Sequence, residues 1–454
     1  MGILIAVGQL ILSLSILIVL HEGGHFLPSK WFRVKVDKFY LFFDAGIKSL
    51  GFEGSLFKHK IGETEYGIGW LPLGGYVKIA GMMDESFDKE QLEKPAEDWE
   101  FRSKPAWQRL IIMIGGVTVN FILGIFLLSM VLFTYGKEYY PAENITYGIA
   151  ADSLGMEIGL RDGDRILKVG DRDFDRFNPG LLIQGIAIDG AKTVTVQRNG
   201  RETELTVPDN FGKRLISETK QGKDVFTYRL PFVVGEVKKD MPAGEAGIEV
   251  GDSIIMVNGQ NTPFFSDFVR AVKPQKEKEV NITYIRDGQN YDQAVTVNED
   301  GRVGLSPYGP DRYYETQRDE YALGEAFKQG TTDSYDFIAT QLKAFKQIFT
   351  GKIAAGDSLG GFISIGGLFG EEWIWERFWY MTGILSLILG FMNLLPIPIL
   401  DGGHVVFLLY EMVTGRTVPE KVMEYMMYAG LILIGALMIF ANGNDVWNLI
   451  KGYF

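Results

Sequence analysis

The sequence predicts a polytopic α-helical membrane protein with two copies of a small α+β domain inserted between its membrane parts. Three observations lead there. Near-continuous apolar runs occupy both ends of the 454-residue chain, the middle is charged and strand-like, and that middle repeats itself at a constant offset. The averages hide this. Hydrophobic residues make up 46% and charged residues 22%, values that suit a soluble protein only if the two populations are mixed along the chain, and here they are segregated. A net charge of -12, with no long Lys/Arg block, argues against nucleic acid as a partner. The chain has no cysteine, which excludes disulfides, Cys-rich zinc sites and a thiol nucleophile.

The first apolar run, Ile3 to Leu20, is interrupted only by Gly8, Gln9, Ser13 and Ser15 and continues helically to about Pro28. At ~1.5 Å per residue it crosses a hydrocarbon core ~30 Å thick. It lacks a basic n-region and a small-x-small cleavage site before His21, so a retained helix is expected rather than a secretory signal. Lys30, Arg33, Lys35 and Lys38 follow at once and place that end on the cytoplasmic side. There stands His21-Glu22-Gly23-Gly24-His25. Residues i and i+4 share a helix face, so both imidazoles can meet one ion, and two neutral nitrogens suit zinc. Glu22 between them can hold a water and take its proton, the general-base role in metal-assisted peptide hydrolysis. Taken alone, the same residues also fit the wet end of any membrane helix. A third ligand decides between the two.

Val36 to Lys78 is rich in aromatic and β-branched residues and broken by glycines, which predicts short hairpins. Next to a membrane helix, they suggest a sheet that dips into the membrane against protein or a cavity, where an open edge could bind an unwound peptide. An ordinary cytoplasmic hairpin is the plainer alternative. Gly81 to Glu100 is acidic and polar and is expected to be a surface loop. Arg102, Lys104 and Arg109 then mark the cytoplasmic entry to a second span, about Leu110 to Tyr135. Asn120 inside it either bonds a neighbouring helix or faces the cavity and holds peptide backbone.

From Tyr147 to Pro307 the chain repeats with an offset of 88, as Gly251 aligns with Gly163 (251 − 163) and Thr193 to Gly200 aligns with Asn281 to Gly288. In each copy a Gly-Asp turn leads into a β-branched strand, and a hairpin closes the unit on Asn-Gly or Asp-Gly. Gly163 to Gly170 and Gly251 to Gly259 resemble the Gly-Asp-x-Ile run of PDZ domains. That resemblance implies a groove for an extended peptide or a chain terminus; the alternative is a pair of spacers.

Asp311 to about Gly370 is expected at the membrane surface, and Glu371 to Tyr380 mixes charges with rings as an interfacial belt does. A third apolar run, Met381 to Leu400, and a fourth, about Tyr425 to Ala441, are joined through Arg416 and Lys421, which makes the joint cytoplasmic. The third run ends in Asn393-Leu394-Leu395-Pro396-Ile397-Pro398-Ile399-Leu400-Asp401-Gly402-Gly403-His404. Its prolines break the helix, and irregular backbone at that depth must line a cavity or be buried in protein. The topology returns Asp401 to the histidines, so it is the best third ligand, leaving one position of a tetrahedral zinc open. His404 competes for that role.

The ordered set of His-Glu-x-x-His, Leu-Pro-Leu-Gly-Gly-Tyr-Val (71–77), inserted repeats and Asn-x-x-Pro-x-Pro-x-Leu-Asp-Gly-Gly resembles bacterial site-2 proteases of the RseP type, in peptidase family M50. The resemblance spans nearly the whole chain. It implies a zinc enzyme of the bacterial inner membrane that cuts the transmembrane segment of single-span proteins, such as a trimmed anti-sigma factor or a remnant signal peptide. It also implies His21, His25 and Asp401 as zinc ligands, Glu22 as catalytic base, Asn393 as a substrate contact, and Gly67, Ile68 and Gly69 as the edge strand that receives substrate. The PDZ-like domains would lie on the periplasmic side and act as a size filter. The expected domains are 1–135, 147–230, 231–307 and 308–454, the first and last carrying four membrane helices. Gly23 departs from the family pattern, which has a bulkier apolar residue there; each helix-interior glycine costs about 1 kcal/mol relative to Ala. A membrane scaffold or quality-control binding protein without catalysis, and a zinc transporter, are the rivals. The scaffold has no use for four costly polar groups at membrane depth, and the transporter lacks a ligand path across the apolar runs.

Overall fold

The computed structural model describes residues 2–46, 54–72, 74–82, 95–220, 222–239, 241–350 and 360–453. The chain divides into two compact units, one of Met1–Gly136, Glu320–Leu342 and Leu359–Phe454, the other of Lys137–Asp319 and Lys343–Ser358.

The first unit is built on α1 (Gly2–Trp31) and α2 (Ala106–Tyr135). Both are apolar around nearly their whole circumference, which suits a lipid surround. They cross where neither carries a side chain. A Cβ on Gly24 would stand 2.5 Å from the Gly115 carbonyl oxygen, and one on Gly115 would run into the Gly24 carbonyl. Further along the chain come α3 (Leu323–Phe349), α4 (Phe362–Gly367), α5 (Trp375–Leu394), α6 (Asp401–Thr414) and α7 (Glu420–Tyr453). Ser386 on α5 donates to the Asn120 carbonyl of α2 at 2.7 Å. Gly124 of α2 admits Leu387 of α5. Arg109 of α2 pairs with Glu411 of α6 at 2.5 Å. Among the described residues three helices are long and apolar enough to cross a membrane, Gly2–Trp31, Ala106–Tyr135 and Lys421–Trp447. The third apolar run is helical to Leu394 and turns extended at Leu395 ahead of Pro396, where the sequence predicts the break.

Between α1 and α2 lies a sheet of β1 (Val36–Leu41), β2 (Ser55–Ile61), β3 (Thr64–Gly69) and β4 (Tyr76–Ile79), in the order β2-β3-β1-β4. This order corrects one expectation. Gly67, Ile68 and Gly69 lie in an interior strand, with Gly67 opposite Lys58 on β2 and opposite Tyr40 on β1. The reason is packing: a side chain on Gly67 would meet the Tyr40 ring, and one on Gly69 would meet the Phe43 carbonyl. The glycines admit neighbours, and the free edge near α1 is β4. Most of the expected acidic loop, 83–94, lies outside the described residues, as do 47–53 and Leu73 of the hairpin region.

The second unit contains the repeat. Arg201–Thr206, Thr193–Arg198, Arg165–Val169 and Arg172–Asp173 form one sheet in that order, and Gln289–Thr296, Glu279–Arg286, Ser253–Val257 and Gln260–Asn261 form its counterpart with the same order of equivalent strands. Each copy pairs a buried aspartate with a partly exposed arginine at the same place. Arg198 Nη2 lies 2.7 Å from Asp164 Oδ2, and Arg286 Nε lies 2.6 Å from Asp252 Oδ1. Asp164 also accepts from the Arg161 amide, as Asp252 does from that of Glu249. The hairpin turns carry Asn199 and Asp287, both at φ 51, ahead of glycines. The copies differ in one helix, Phe211–Lys220, which belongs to the first. The boundary expected at 308 falls later, because Gln317–Asp319 pairs antiparallel with Lys137–Tyr139 and closes this unit.

Candidate metal centre

The last turns of α1 bring His21 and His25 onto one face, with ring centroids 4.9 Å apart. Both are buried. His25 Nδ1 lies 2.8 Å from the Ile112 carbonyl oxygen, so Nδ1 carries the proton and donates, and the Nε2 lone pair is left free. His21 Nδ1 stands 2.9 Å from Asn120 Nδ2, while Asn120 Oδ1 is buried with no partner. A half-turn of that amide, whose two ends are nearly alike in shape, lets Oδ1 accept the His21 Nδ1 proton. Both Nε2 atoms then present lone pairs to one point.

Asp401 reaches the same point from α6. Pro396 and Pro398 break the chain, and Ile399 holds φ 94, a region that costs a β-branched residue about 1–3 kcal/mol. The break is wedged in place, since Gly402, Gly403 and Gly430 leave no room for a Cβ against its backbone. Asp401 thus opens α6 with its carboxylate beside the histidines. Oδ2 is 3.4 Å from His21 Nε2 and 3.3 Å from His25 Nε2, and the nitrogens are 3.3 Å apart. Three acceptors facing one another repel unless a cation lies among them. A tetrahedral centre with bonds of ~2.0–2.1 Å has edges of ~3.3–3.4 Å, so the donor set and its spacing fit zinc. Asp401 Oδ2 is also buried without a hydrogen-bond partner.

These residues line a cavity of about 740 Å³ together with Glu22, Asn393, His404 and β4. Asn393 Nδ2 is 3.3 Å from His21 Nε2. His404 lies outside the ligand cluster, which among the described residues is His21, His25 and Asp401. Gly67, Ile68 and Gly69 are not among the lining residues. The Ile112 carbonyl and the Gly115–Gly116 pair escaped the sequence reading. A Cβ on Gly116 would intrude on both imidazoles. The adjacent glycines within a largely apolar helix were the available signal, since small residues mark close helix approach.

Residues 9–437 match the profile of peptidase family M50. The chain belongs to that family. M50 membership makes it a metallopeptidase of the membrane, and its relatives match end to end. It is 27% identical to the regulator of sigma E protease of Haemophilus influenzae over 99% of this chain and 100% of that protein. It is 30% identical to a Vibrio cholerae protein named as a candidate zinc metalloprotease, over 97% of this chain and 98% of the other. A crystal structure of a PDZ domain from an SdrC-like protein of Listeria monocytogenes aligns with 20% of this M50 chain at 22% identity and a TM-score of 0.16.

Proposed function

We propose that the chain is a zinc-dependent intramembrane endopeptidase that cuts transmembrane segments of single-span proteins. The observation that carries this is one cavity lined by His21, His25, Asp401 and Glu22. His21, His25 and Asp401 would hold zinc, which supplies Lewis acidity toward the scissile carbonyl. Glu22 takes the proton of the attacking water and returns it to the leaving amide nitrogen. Asn393, whose Nδ2 faces the ligands, donates to the substrate backbone near the cut. A helical substrate must first unwind, and the free edge of β4 replaces its lost hydrogen bonds by strand addition. β4 therefore takes over the role the sequence reading gave to Gly67–Gly69.

In this reading α5 joins the three long apolar helices α1, α2 and α7 as a fourth span. Lys30, Arg33, Lys35 and Lys38 after α1, and Arg102, Lys104 and Arg109 before or within the first turn of α2, put the site toward the cytoplasmic face of a bacterial inner membrane. The repeats, read as PDZ-like domains on the outer side, bind extended peptide or chain termini and admit substrates already trimmed outside. Trimmed anti-sigma factors and remnant signal peptides are the expected substrates, a reading that the name of the Haemophilus relative supports. Loss of residues 147–307 is expected to let untrimmed substrates be cut; if they stay intact, the filter is wrong.

The deciding experiment measures metal content and cleavage of a single-span substrate for the wild type and Glu22→Gln. Zinc in both and cleavage in the wild type alone support the reading. A zinc-free wild type, or cleavage by Glu22→Gln at the wild-type rate, overturns it.

A further inference from the structure

We propose that Lys38, Asp44 and Tyr76 form a side-chain subsite that takes a neutral polar residue of the unwound substrate, a hydroxyl or carboxamide, in preference to an aliphatic one. The inference rests on the protease reading above and names the substrate feature it selects.

All three residues line the cavity that holds Glu22 and the ligand cluster. Tyr76 Oη donates to Asp44 Oδ1 at 2.9 Å, and Lys38 Nζ donates to Asp44 Oδ2 at 3.2 Å. Lys38 Nζ also stands 3.4 Å from Tyr76 Oη. The Tyr76 ring is stacked on Tyr40, centroid to centroid 5.4 Å, and on Phe43 at 6.2 Å. The backbone that carries Asp44 is held on several sides. Phe42 sits at φ 67, a left-handed conformation costly for a side chain of that size. Gly54 and Gly69 press on the Phe43–Asp44 main chain so closely that a Cβ on either would collide with it. A polar cluster fixed this firmly beside a hydrolytic site has its donors and acceptors set before any ligand arrives.

Charge decides what it takes. Asp44 and Lys38 already neutralise one another, so a charged side chain of either sign would have to displace one of them, and Lys78 on the same face has a partner of its own. Asp44 has lone pairs beyond the two these bonds use, and the Lys38 ammonium, which bonds Asp44 and lies 5.1 Å from the Tyr40 ring centroid, is a donor on the same cluster. A group that both donates and accepts satisfies them together. An aliphatic side chain would strip water from them and return nothing.

Register says which substrate residue arrives there. Lys38 is opposite Lys78 and Tyr40 is opposite Tyr76, so these four share one face, while Phe39 and Val77 share the other. A strand added to the free edge of β4 alternates its side chains with period two. Residues opposite Tyr76 or Lys78 fall on the face of the polar cluster, and the residue opposite Val77 falls on the other.

The test uses the full chain, purified and reconstituted in vesicles, with single-span substrates that differ only by Thr or Val at successive positions around the mapped cut. Thr and Val match in shape and nearly in helix propensity, so unwinding is unchanged and the hydroxyl is isolated. Thr is expected to raise kcat/KM over Val by about tenfold at positions two apart and not between them. That ratio is expected to fall toward unity in Asp44→Ala and in Tyr76→Phe, the second of which keeps the stacked ring and decides alone if the first does not fold. Equal cleavage at every position by the wild type, or a ratio kept in both variants, overturns the subsite and leaves the protease standing. A wild type that cuts neither substrate overturns the protease reading, and the subsite with it.

Discussion

Asn120 shows how a single amide can set a metal site. Its side chain is fully buried and meets His21 on the ring nitrogen that faces away from Asp401. Replacing it with Ala removes the acceptor that holds the His21 tautomer, and a loss of about 10–100-fold in zinc affinity is expected by chelator competition. Asn120→Asp keeps an acceptor and should recover much of it. The glycines divide in a similar way. Gly23 has nothing within 4 Å of where its Cβ would stand. Gly23→Ala should therefore raise thermal stability by about 1 kcal/mol with zinc retained. Gly116→Ala drives a methyl into both imidazoles, and metal analysis of the purified variant should find the zinc lost. The departure at Gly23 noted in the sequence is thus harmless at the metal, and the adjacent Gly24 is the one the packing requires. That His21, His25, Glu22 and Asp401 meet at one cavity was legible, because histidines four apart share a helix face and the proline break returns Asp401 to them. Asn120 was ambiguous, because a polar residue in an apolar helix announces a partner without naming it.

The elements explain why Asp401 arrives where it does. α6 is anchored at its start by the glycine-packed break and near its far end by Arg109–Glu411, whose side chains are 13% and 19% exposed. Breaking a largely buried pair from one side leaves a charge uncompensated, at a cost of about 3–5 kcal/mol if fully desolvated and less here. Arg109→Ala should lower both stability and zinc occupancy, and exchanging the two residues (Arg109→Glu with Glu411→Arg) should restore part of each. A bulky Gly430→Leu should displace Pro398 and weaken zinc binding although no ligand has changed, which titration of the metal would detect. In the sheet, strand character was visible in the sequence and strand order was not. β1 pairs parallel with β3 and antiparallel with β4, choices made by contacts distant in sequence such as Tyr40 over Gly67. A motif can mark a strand without telling whether its edge is open.

For the whole molecule, the duplication was readable to the residue, since Asp164–Arg198 and Asp252–Arg286 recur at the offset the sequence shows. The limits of the second unit were not. Lys137–Tyr139 and Gln317–Asp319 are short, polar and far apart in sequence, and nothing local reveals that they pair. A fragment of residues 137–319 should accordingly unfold at higher denaturant than one of 147–307, followed by circular dichroism. Equal midpoints would mean that the pairing contributes nothing.

The glycine seam between α1 and α2 also bears on how the proposed substrate would enter. Where Gly24 meets Gly115 there is no space for a methyl group, and Ser386 ties α5 to α2 a few residues further on. An incoming helix has no passage through either joint. On the proposed function a substrate would come in by the remaining flank, where β4 and Met427 of α7 border the cavity, so labels that crosslink a trapped substrate should map to that side and leave the seam unmarked.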